Sequence, residues 1–352
     1  TPLREWLLKN YTFDSLVQIG GNSFPSLNSQ IARAVSFSIR NKSNLHLETI
    51  SFDLDSLPNS HGLDKKVLFE SYLLDNKFVK RNYREFMEVN RFTFLHSIQD
   101  QLLQVFVKST PFEDIAKPKT GLQTGSNERF VRFWYEVSWN RTYWSNLVHN
   151  KWHPYNKGGD YKKWFGNNDN VVNWENNGYE IKNFKDQNGK LRSRPQNENY
   201  YFKEGITYSL IGNADFCARY YGNGYLFDVG GSGFFPETKD KKFLLGLVNS
   251  KVGSYILSKL NPTVNFQVGD IGSIPVIPFE SSSYDIDQLV DENIEISKKE
   301  SELSEDNPNF ISNELLNING NGELEETTDL CIQKRLHLLN KLNRNEVQLN
   351  CW

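Results

Sequence analysis

Sulfur is scarce in this chain of 352 residues: three cysteines (Cys217, Cys331, Cys351) and a single methionine, Met87. An odd, widely separated set of cysteines excludes a disulfide framework and a CxxC zinc knuckle. No apolar run approaches the ~18 residues of a membrane span, and mean hydropathy is −0.60. Nor does a basic stretch lead into an apolar core, as a secretory leader would. These absences predict a soluble protein of the reducing cytoplasm with no membrane partner. The chain does not begin at Met, which removal of an initiating Met before Thr1 would also explain, and Leu349–Trp352 stops without a helix cap, consistent with truncation.

Net charge is also small, −3 overall, but it conceals a strong asymmetry. Residues 117–208 hold 15 Lys+Arg against 9 Asp+Glu, and residues 281–352 hold 6 against 15. A basic middle and an acidic end cancel in the total. Aromatic residues make up 14%, and six of the eight tryptophans fall within 128–208: Trp134, Trp139, Trp144, Trp152, Trp164 and Trp174.

Periodicity predicts a mixed α+β chain. Thr1-Pro2 opens a helix with Leu3, Trp6 and Leu7 on one face. Phe13–Ile19 reads as a strand broken by Gly20-Gly21-Asn22. In Arg33–Arg40, Val35, Phe37 and Ile39 alternate with Ser36, Ser38 and Arg40, a strand with one buried and one wet face. Helix, strand, loop and strand in ~40 residues cannot bury a core alone, so this piece is expected to complete a larger sheet. A strand at Leu47–Leu54 and a helix near Lys66–Asn76 follow, and Lys117-Pro118-Lys119 marks a boundary. Short strands are expected at Arg129–Glu136, Ile206–Ile211 and Ile271–Ile277. Gly- and Asn-rich turns are expected at Lys157–Asp160, Gly166–Asn168 and Asn188-Gly189. Phe243–Leu260 carries a helical stripe stopped by Asn261-Pro262. In the tail, Ile286, Leu289, Val290 and Ile294 mark one amphipathic helix and Ile332, Leu336 and Leu339 another, with residues 304–328 as a loop between them.

Interleaved cations and flat side chains suit a nucleic acid: Lys and Arg neutralise phosphates, and aromatics stack or wedge against bases. Asn and Gln offer the paired donor and acceptor that reads adenine in the major groove. The plainer reading of the same residues is an α+β domain whose core uses Trp and Tyr, and a carbohydrate-binding surface would share the aromatic excess. No catalytic constellation stands out. Phe227-Asp228-Val229-Gly230-Gly231-Ser232-Gly233 lacks the glycine spacing and the following helix of a methyl-donor loop, and reads as a glycine turn. Asn261-Pro262-Thr263-Val264 lacks the second proline and the aromatic of an amino-methyltransferase tetrapeptide, and reads as a helix stop. His149 and His153 share a zinc-like spacing, but Pro154 follows and no third ligand is placed to join them, so no metal is expected. Carboxylate pairs such as Asp53/Asp55 read as caps or solvated faces.

One ordered set of motifs is more specific. It begins with Lys119-Thr120-Gly121-Leu122-Gln123-Thr124-Gly125-Ser126-Asn127, Arg129-Phe130 and Trp134-Tyr135-Glu136-Val137. It continues with Trp152-His153-Pro154-Tyr155-Asn156-Lys157-Gly158-Gly159, Lys163-Trp164-Phe165-Gly166-Asn167 and Val172-Asn173-Trp174. Tyr201-Phe202-Lys203-Glu204-Gly205-Ile206-Thr207-Tyr208, Leu247-Val248-Asn249-Ser250-Lys251 and Asn261–Ile271 complete it. In this order they resemble the C-terminal part of the adenine-specific DNA methyltransferase of BREX phage-defence systems, the PglX family, over nearly the whole chain.

The resemblance implies an α+β architecture in four parts. Residues 1–50 would be the end of a Rossmann-like methyltransferase sheet, a helix plus a β-hairpin, and residues 51–110 a connecting segment. Residues 111–280 would be the target recognition domain and residues 281–352 an acidic helical tail. Leu245–Pro275, a helix and then a strand bearing Gln267, is also similar to domain ends in type I specificity subunits. Family members methylate adenine N6 with S-adenosylmethionine so that host DNA is marked as self, while partner BREX proteins act on unmarked phage DNA. The methyl-donor loop and the Asn-Pro-Pro-aromatic motif are missing here, so no catalytic or cofactor residue carries over, and the chain alone is expected to be inactive, with S-adenosylmethionine used only by the full-length protein. What carries over is recognition of double-stranded DNA, through Lys119, Gln123, Thr124, Asn127, Arg129 and Arg132, with Lys157, Lys162, Lys163, Trp164, Arg192, Arg194 and Gln267. The alternative is a non-catalytic module that docks on other BREX subunits.

Overall fold

The computed structural model describes residues 2–24, 33–44, 46–55, 62–89, 94–95, 98–145, 150–212, 215–237, 240–261, 263, 265–277, 283–316 and 324–351. Backbone contacts divide the chain into two units, and the chain leaves the first and returns to it twice. One unit holds 1–111, 256–264 and 273–278; the other holds 112–255, 265–272 and 279–352.

The first unit begins with α1 (Pro2–Asn10), β1 (Thr12–Gly20), β2 (Ala34–Arg40) and β3 (Glu48–Asp53). Then come α2 (Gly62–Leu74), β4 (Val79–Asn82), α3 (Tyr83–Glu88), α4 (Asp100–Lys108) and β5 (Thr110–Pro111). Its sheet runs β2-β1-β3-β4, with β1 antiparallel to β2 and parallel to β3. Leu8, Phe13, Tyr83 and Phe86 form its core beside Leu7, Met87 and Phe94. The hydroxyl of Tyr83 donates to the carbonyls of Leu8 and Tyr11, so helix α1 ends on a buried phenol.

The hairpin expected at the start of the chain is present, but its burial differs. Val35, Phe37 and Ile39 on the edge strand β2 are 40–52% exposed, with the Phe37 ring only partly covered by core residue Phe13, 5.4 Å away between centroids. Likewise Leu3 and Trp6 of α1 face solvent, and Leu8 is the residue the helix buries.

The second unit contains α5 (Phe112–Ala116), α6 (Asn127–Phe130), β6 (Val131–Phe133), β7 (Trp152–Asn156), β8 (Asn170–Asn173) and α7 (Glu175–Lys182). It continues with β9 (Gly205–Tyr208), β10 (Ala218–Tyr221), β11 (Leu226–Phe227), β12 (Gly233–Phe234) and α8 (Lys241–Asn249). Helix α9 (Lys251–Leu260) follows, then α10 (Val268–Gly272), β13 (Pro275–Val276), α11 (Ser283–Glu302) and α12 (Leu324–Leu349). Of these, β13 and residues 256–260 of α9 belong to the first unit, and β13 pairs there with β5. Two small sheets organise the rest, β11-β7-β8-β6 and β10-β9-β12. Their core is built on Leu122, Phe130, Tyr155, Val172, Trp174, Ile181, Tyr201 and Phe227.

Several sequence expectations shift for local reasons. Arg129 and Phe130 belong to α6 instead of a strand, since the Phe130 amide turns back to the Ser126 carbonyl at 3.1 Å. Strand β6 then gives way to a 3₁₀ turn at Trp134–Glu136, where the Glu136 carboxylate accepts the Phe133 amide at 2.8 Å. The stripe over 243–260 is split into α8 and α9, because the Ser250 hydroxyl donates to the Leu247 carbonyl at 2.6 Å and accepts the Gly253 amide at 3.0 Å. Gln267 opens helix α10 instead of lying in a strand, its amide held by the Asp270 carboxylate at 3.1 Å. Extended backbone resumes only at β13.

In the tail, Ile286 and Val290 are buried as expected, but Ile332, Leu336 and Leu339 are exposed. Helix α12 instead packs through Cys331 and Asn345, and the Asn345 amide donates to Asn293 on α11 at 3.1 Å. Pro262, Val264, Pro278 and His149, which figured in the sequence readings, lie outside the described residues. Among the described residues no helix is long and apolar enough to cross a membrane.

Candidate nucleic-acid interface

Six of the thirteen sequence-predicted DNA contacts converge on one surface of the second unit. The turn carrying Gln123, Thr124 and Asn127 lies beside the segment carrying Arg192 and Arg194. Main-chain bonds join them: Gln123 N–H to the Arg194 carbonyl at 3.1 Å, and Arg194 N–H to the Gln123 carbonyl at 2.8 Å. Gly125 makes the approach possible, since its φ is +79° and a Cβ there would meet the Arg192 carbonyl carbon at 2.8 Å.

Within the turn, the buried Thr124 hydroxyl donates to Asn127 Oδ1 at 2.8 Å. Thr124 therefore touches no ligand itself; it aims Asn127, whose exposed amide keeps its Nδ2 donors. Arg129 and Arg192 both lie over the ring of Phe184, their guanidinium carbons 5.3 and 5.6 Å from its centroid. Phe184 in turn packs edge-on against core residue Phe130 at 5.2 Å. A core-anchored ring thus carries two cations. Arg129 also approaches Glu180 at 3.8 Å, an exposed pair of little energetic weight. Gln123, Asn127, Arg129, Arg192 and Arg194 are all exposed.

The other candidates are placed elsewhere. Trp164 is 1% exposed and cannot stack on a base. Its indole N–H donates to Glu346 Oε1 at 2.8 Å, and Lys163 pairs with the other Glu346 oxygen at 3.2 Å. Both are held by the tail helix α12, whose contact with this region the sequence did not reveal. Arg132 folds back onto the Glu128 and Val131 carbonyls and braces its own turn. Lys119 sits over the Tyr200 ring at 5.5 Å. Lys157 lies near Asp228, Lys162 is exposed with its carbonyl accepting from the buried Arg219 at 3.3 Å, and Gln267 is exposed at the start of α10. Burial pulls the Arg219 guanidinium down from its ordinary value.

Sequence reasoning missed Phe184, Lys185, Lys190, Leu191 and Glu346. The signal for Lys185, Lys190 and Leu191 was present as a basic stretch, Lys185 to Arg194, folded about the Asn188-Gly189 turn.

The glycine-rich stretch 227–233 is consumed by packing. Asp228 accepts the Tyr155 hydroxyl and the Gly230 amide, and desolvation raises its carboxyl above the ordinary range. A side chain at Gly231 would strike the Asn156 carbonyl at 2.2 Å, so the backbone here packs directly against the segment of Asn156 and Gly158. These residues do not fit S-adenosylmethionine. Among the described residues no cluster of three metal-ligating side chains occurs.

Comparison with known proteins agrees with the ordered motifs. The chain is 31% identical over 327 residues to the adenine-specific methyltransferase BrxX of Escherichia coli O9:H4 (strain HS), covering 91% of this chain and 25% of that protein. It is 32% identical over 261 residues to the adenine-specific methyltransferase PglX of Lacticaseibacillus casei (strain Zhang), covering 71% and 21%. By sequence the chain matches a C-terminal part of the adenine-specific methyltransferases BrxX and PglX. It spans about a quarter of the length of these relatives. No family model matches it. Among solved structures, the type IIL restriction-modification enzyme MmeI in complex with DNA aligns with 96% of the chain and 47% of its own, at 9% identity and a TM-score of 0.44. The type IIG restriction endonuclease BpuSI aligns with 97% and 45%, at 12% identity and a TM-score of 0.32. At these scores the likeness to the two enzymes is too distant to fix the fold.

Proposed function

We propose that this chain is the DNA-binding, target-recognition portion of a site-specific adenine-N6 methyltransferase acting in phage defence. One observation carries the reading: the amides of Gln123 and Asn127 share a surface with the guanidinium groups of Arg129, Arg192 and Arg194. Amides and guanidinium groups are the side chains that read adenine and guanine edges, and guanidinium groups also hold phosphates. The methyl-transfer chemistry lies outside this chain, in the part of the family that it does not span. There the target adenine would be flipped out of the duplex, while this portion chooses the site. The apolar side of β2 supports the same division of labour, as the closing hairpin of a catalytic sheet whose other strands are elsewhere.

Fluorescence anisotropy with random-sequence duplex DNA over a salt series tests the proposal. Affinity should fall linearly in log-log with salt, with a slope of about −0.9 per phosphate contact. Removing the guanidinium groups of Arg129, Arg192 and Arg194 together should flatten that slope by about two to three. No binding at low salt, or binding indifferent to these arginines, would refute the assignment.

A second reading has one observation in its favour. Ile332, Leu336 and Leu339 form an exposed i, i+4, i+7 stripe on α12, the pattern of a helix that docks on a partner. Pull-down with purified BREX subunits, with and without Leu336→Glu, separates this interaction role from DNA recognition.

A further inference from the structure

The element beside the candidate face is a preformed hairpin that projects basic and apolar side chains together. Lys185 and Leu191 form an antiparallel bridge, and the Arg192 amide donates to the Phe184 carbonyl at 2.9 Å. Its turn needs no ligand to hold it. The Asp186 carboxylate accepts the amides of Asn188 and Lys190, each at 2.9 Å, and the Asp186 amide donates to the Lys190 carbonyl at 2.9 Å. Gly189 sits at φ +77° with nothing within 4 Å of a Cβ built there, so the tip stands clear of the body. Ser193 turns its hydroxyl inward to the Ile181 carbonyl, while Arg192 and Arg194 on either side of it face solvent. Lys185 and Lys190 are exposed, and Leu191 is 54% exposed between Lys190 and Arg192.

More than half of the Leu191 side chain is left in water between two cations. Four cations on one short ribbon match an anionic surface, and the amides of Gln123 and Asn127 stand at its base. A two-stranded ribbon also has a size. With side chains it fills a major groove of ~12 Å and exceeds a minor groove of ~6 Å.

We infer that the hairpin of residues 183–194 enters the major groove of duplex DNA. Arg192 and Arg194 meet base edges, Lys185 and Lys190 hold the flanking phosphates, and Leu191 makes the apolar contact suited to a thymine methyl. This inference rests on the DNA-binding reading above and adds to it the groove, the element and the roles. Because the tip is already ordered by Asp186, binding would not have to pay for folding it.

The test uses this chain with a duplex recovered by selection from a randomised pool, footprinted with dimethyl sulfate. That reagent methylates guanine N7 in the major groove and adenine N3 in the minor groove. The expected result is protection of guanine N7, with Arg192→Ala and Arg194→Ala each abolishing protection and preference at one base pair, a loss of about 5- to 150-fold in discrimination. Replacing thymine by uracil should weaken binding by the unaltered chain and leave Leu191→Ala unaffected. Thermal unfolding of all three variants should match the parent, because the altered side chains are exposed. Protection confined to adenine N3, arginine variants with unchanged preference, or binding without any recoverable preference would overturn the hairpin's role while leaving DNA binding intact. Equal affinity for uracil and thymine duplexes would remove Leu191 from it. No duplex binding at all would overturn the DNA-binding reading and this inference with it.

Discussion

Trp164→Phe separates a base-stacking tryptophan from a structural one. The indole is 1% exposed and its N–H donates to Glu346 Oε1 at 2.8 Å, a bond to a charged acceptor. Losing such a bond costs about 1.5–3 kcal/mol. Phenylalanine is smaller by roughly 40 Å3, and at ~24 cal/mol per Å3 of cavity that adds about 1 kcal/mol. Urea denaturation followed by circular dichroism should therefore show a loss of about 3 kcal/mol, with the slope of the transition unchanged. Anisotropy on duplex DNA below the transition should show affinity within twofold of the parent. Glu346→Gln leaves a neutral acceptor for the indole and removes the charge from both that bond and the 3.2 Å pairing with Lys163, so it should cost less than Trp164→Phe, about 1–2 kcal/mol. Unchanged stability in Trp164→Phe together with a tenfold loss of DNA affinity would mean that the indole meets the ligand and not the tail.

Gly125→Ala should destabilise the second unit by about 2–4 kcal/mol, through a left-handed backbone with a side chain and a contact at 2.8 Å with the Arg192 backbone; an unshifted urea midpoint would contradict this. Thr124→Val keeps shape but removes the hydroxyl that aims Asn127, so it should cost about 0.5–1.5 kcal/mol of stability and erode sequence discrimination more than overall affinity. Burial lowers the His153 pKa below its ordinary value. The unfolded chain therefore takes up a proton that the folded chain resists, and stability should fall as pH drops from ~6.5 toward the folded value. The pH dependence of Tm should be shallower in His153→Gln, and an identical profile would exclude His153 as its source. Calorimetric titration of S-adenosylmethionine into the chain should release no binding heat, since Asp228 and Gly231 are committed to packing; clear saturation would refute that account.

Much of the architecture was legible from periodicity. Phe13–Ile19 and Leu47–Leu54 carry strand patterns that match β1 and β3 closely, and Ile286 and Val290 mark the buried side of α11. Misplacements arose where a short polar side chain overrides an apolar pattern. Ser250 breaks one stripe into two helices, and Asp270 starts a helix in a run rich in isoleucine. Exposure was harder still. The alternation in Val35, Phe37 and Ile39 is a genuine strand pattern, but a pattern reports only that a face is apolar, and its cover need not lie in the same chain. For the candidate face, residue type was informative and position was not. Arg129, Arg192 and Arg194 were legible as exposed cations, whereas Lys163 and Trp164 looked equivalent to them until Glu346, 182 residues beyond Trp164, was brought alongside. Contacts at such separation leave no local trace in composition.

The bridge between Gln123 and Arg194 is made of main-chain atoms alone. Nothing in it depends on which side chains occupy the two positions, provided neither is proline at the donating nitrogen. The same holds at Arg192, which gives its amide to Phe184 and leaves its guanidinium uncommitted to the ladder. Positions 123, 192 and 194 can therefore change identity while the frame that presents them persists. A lineage, or a laboratory library, can sample new chemistry at these three points without first solving the folding problem again.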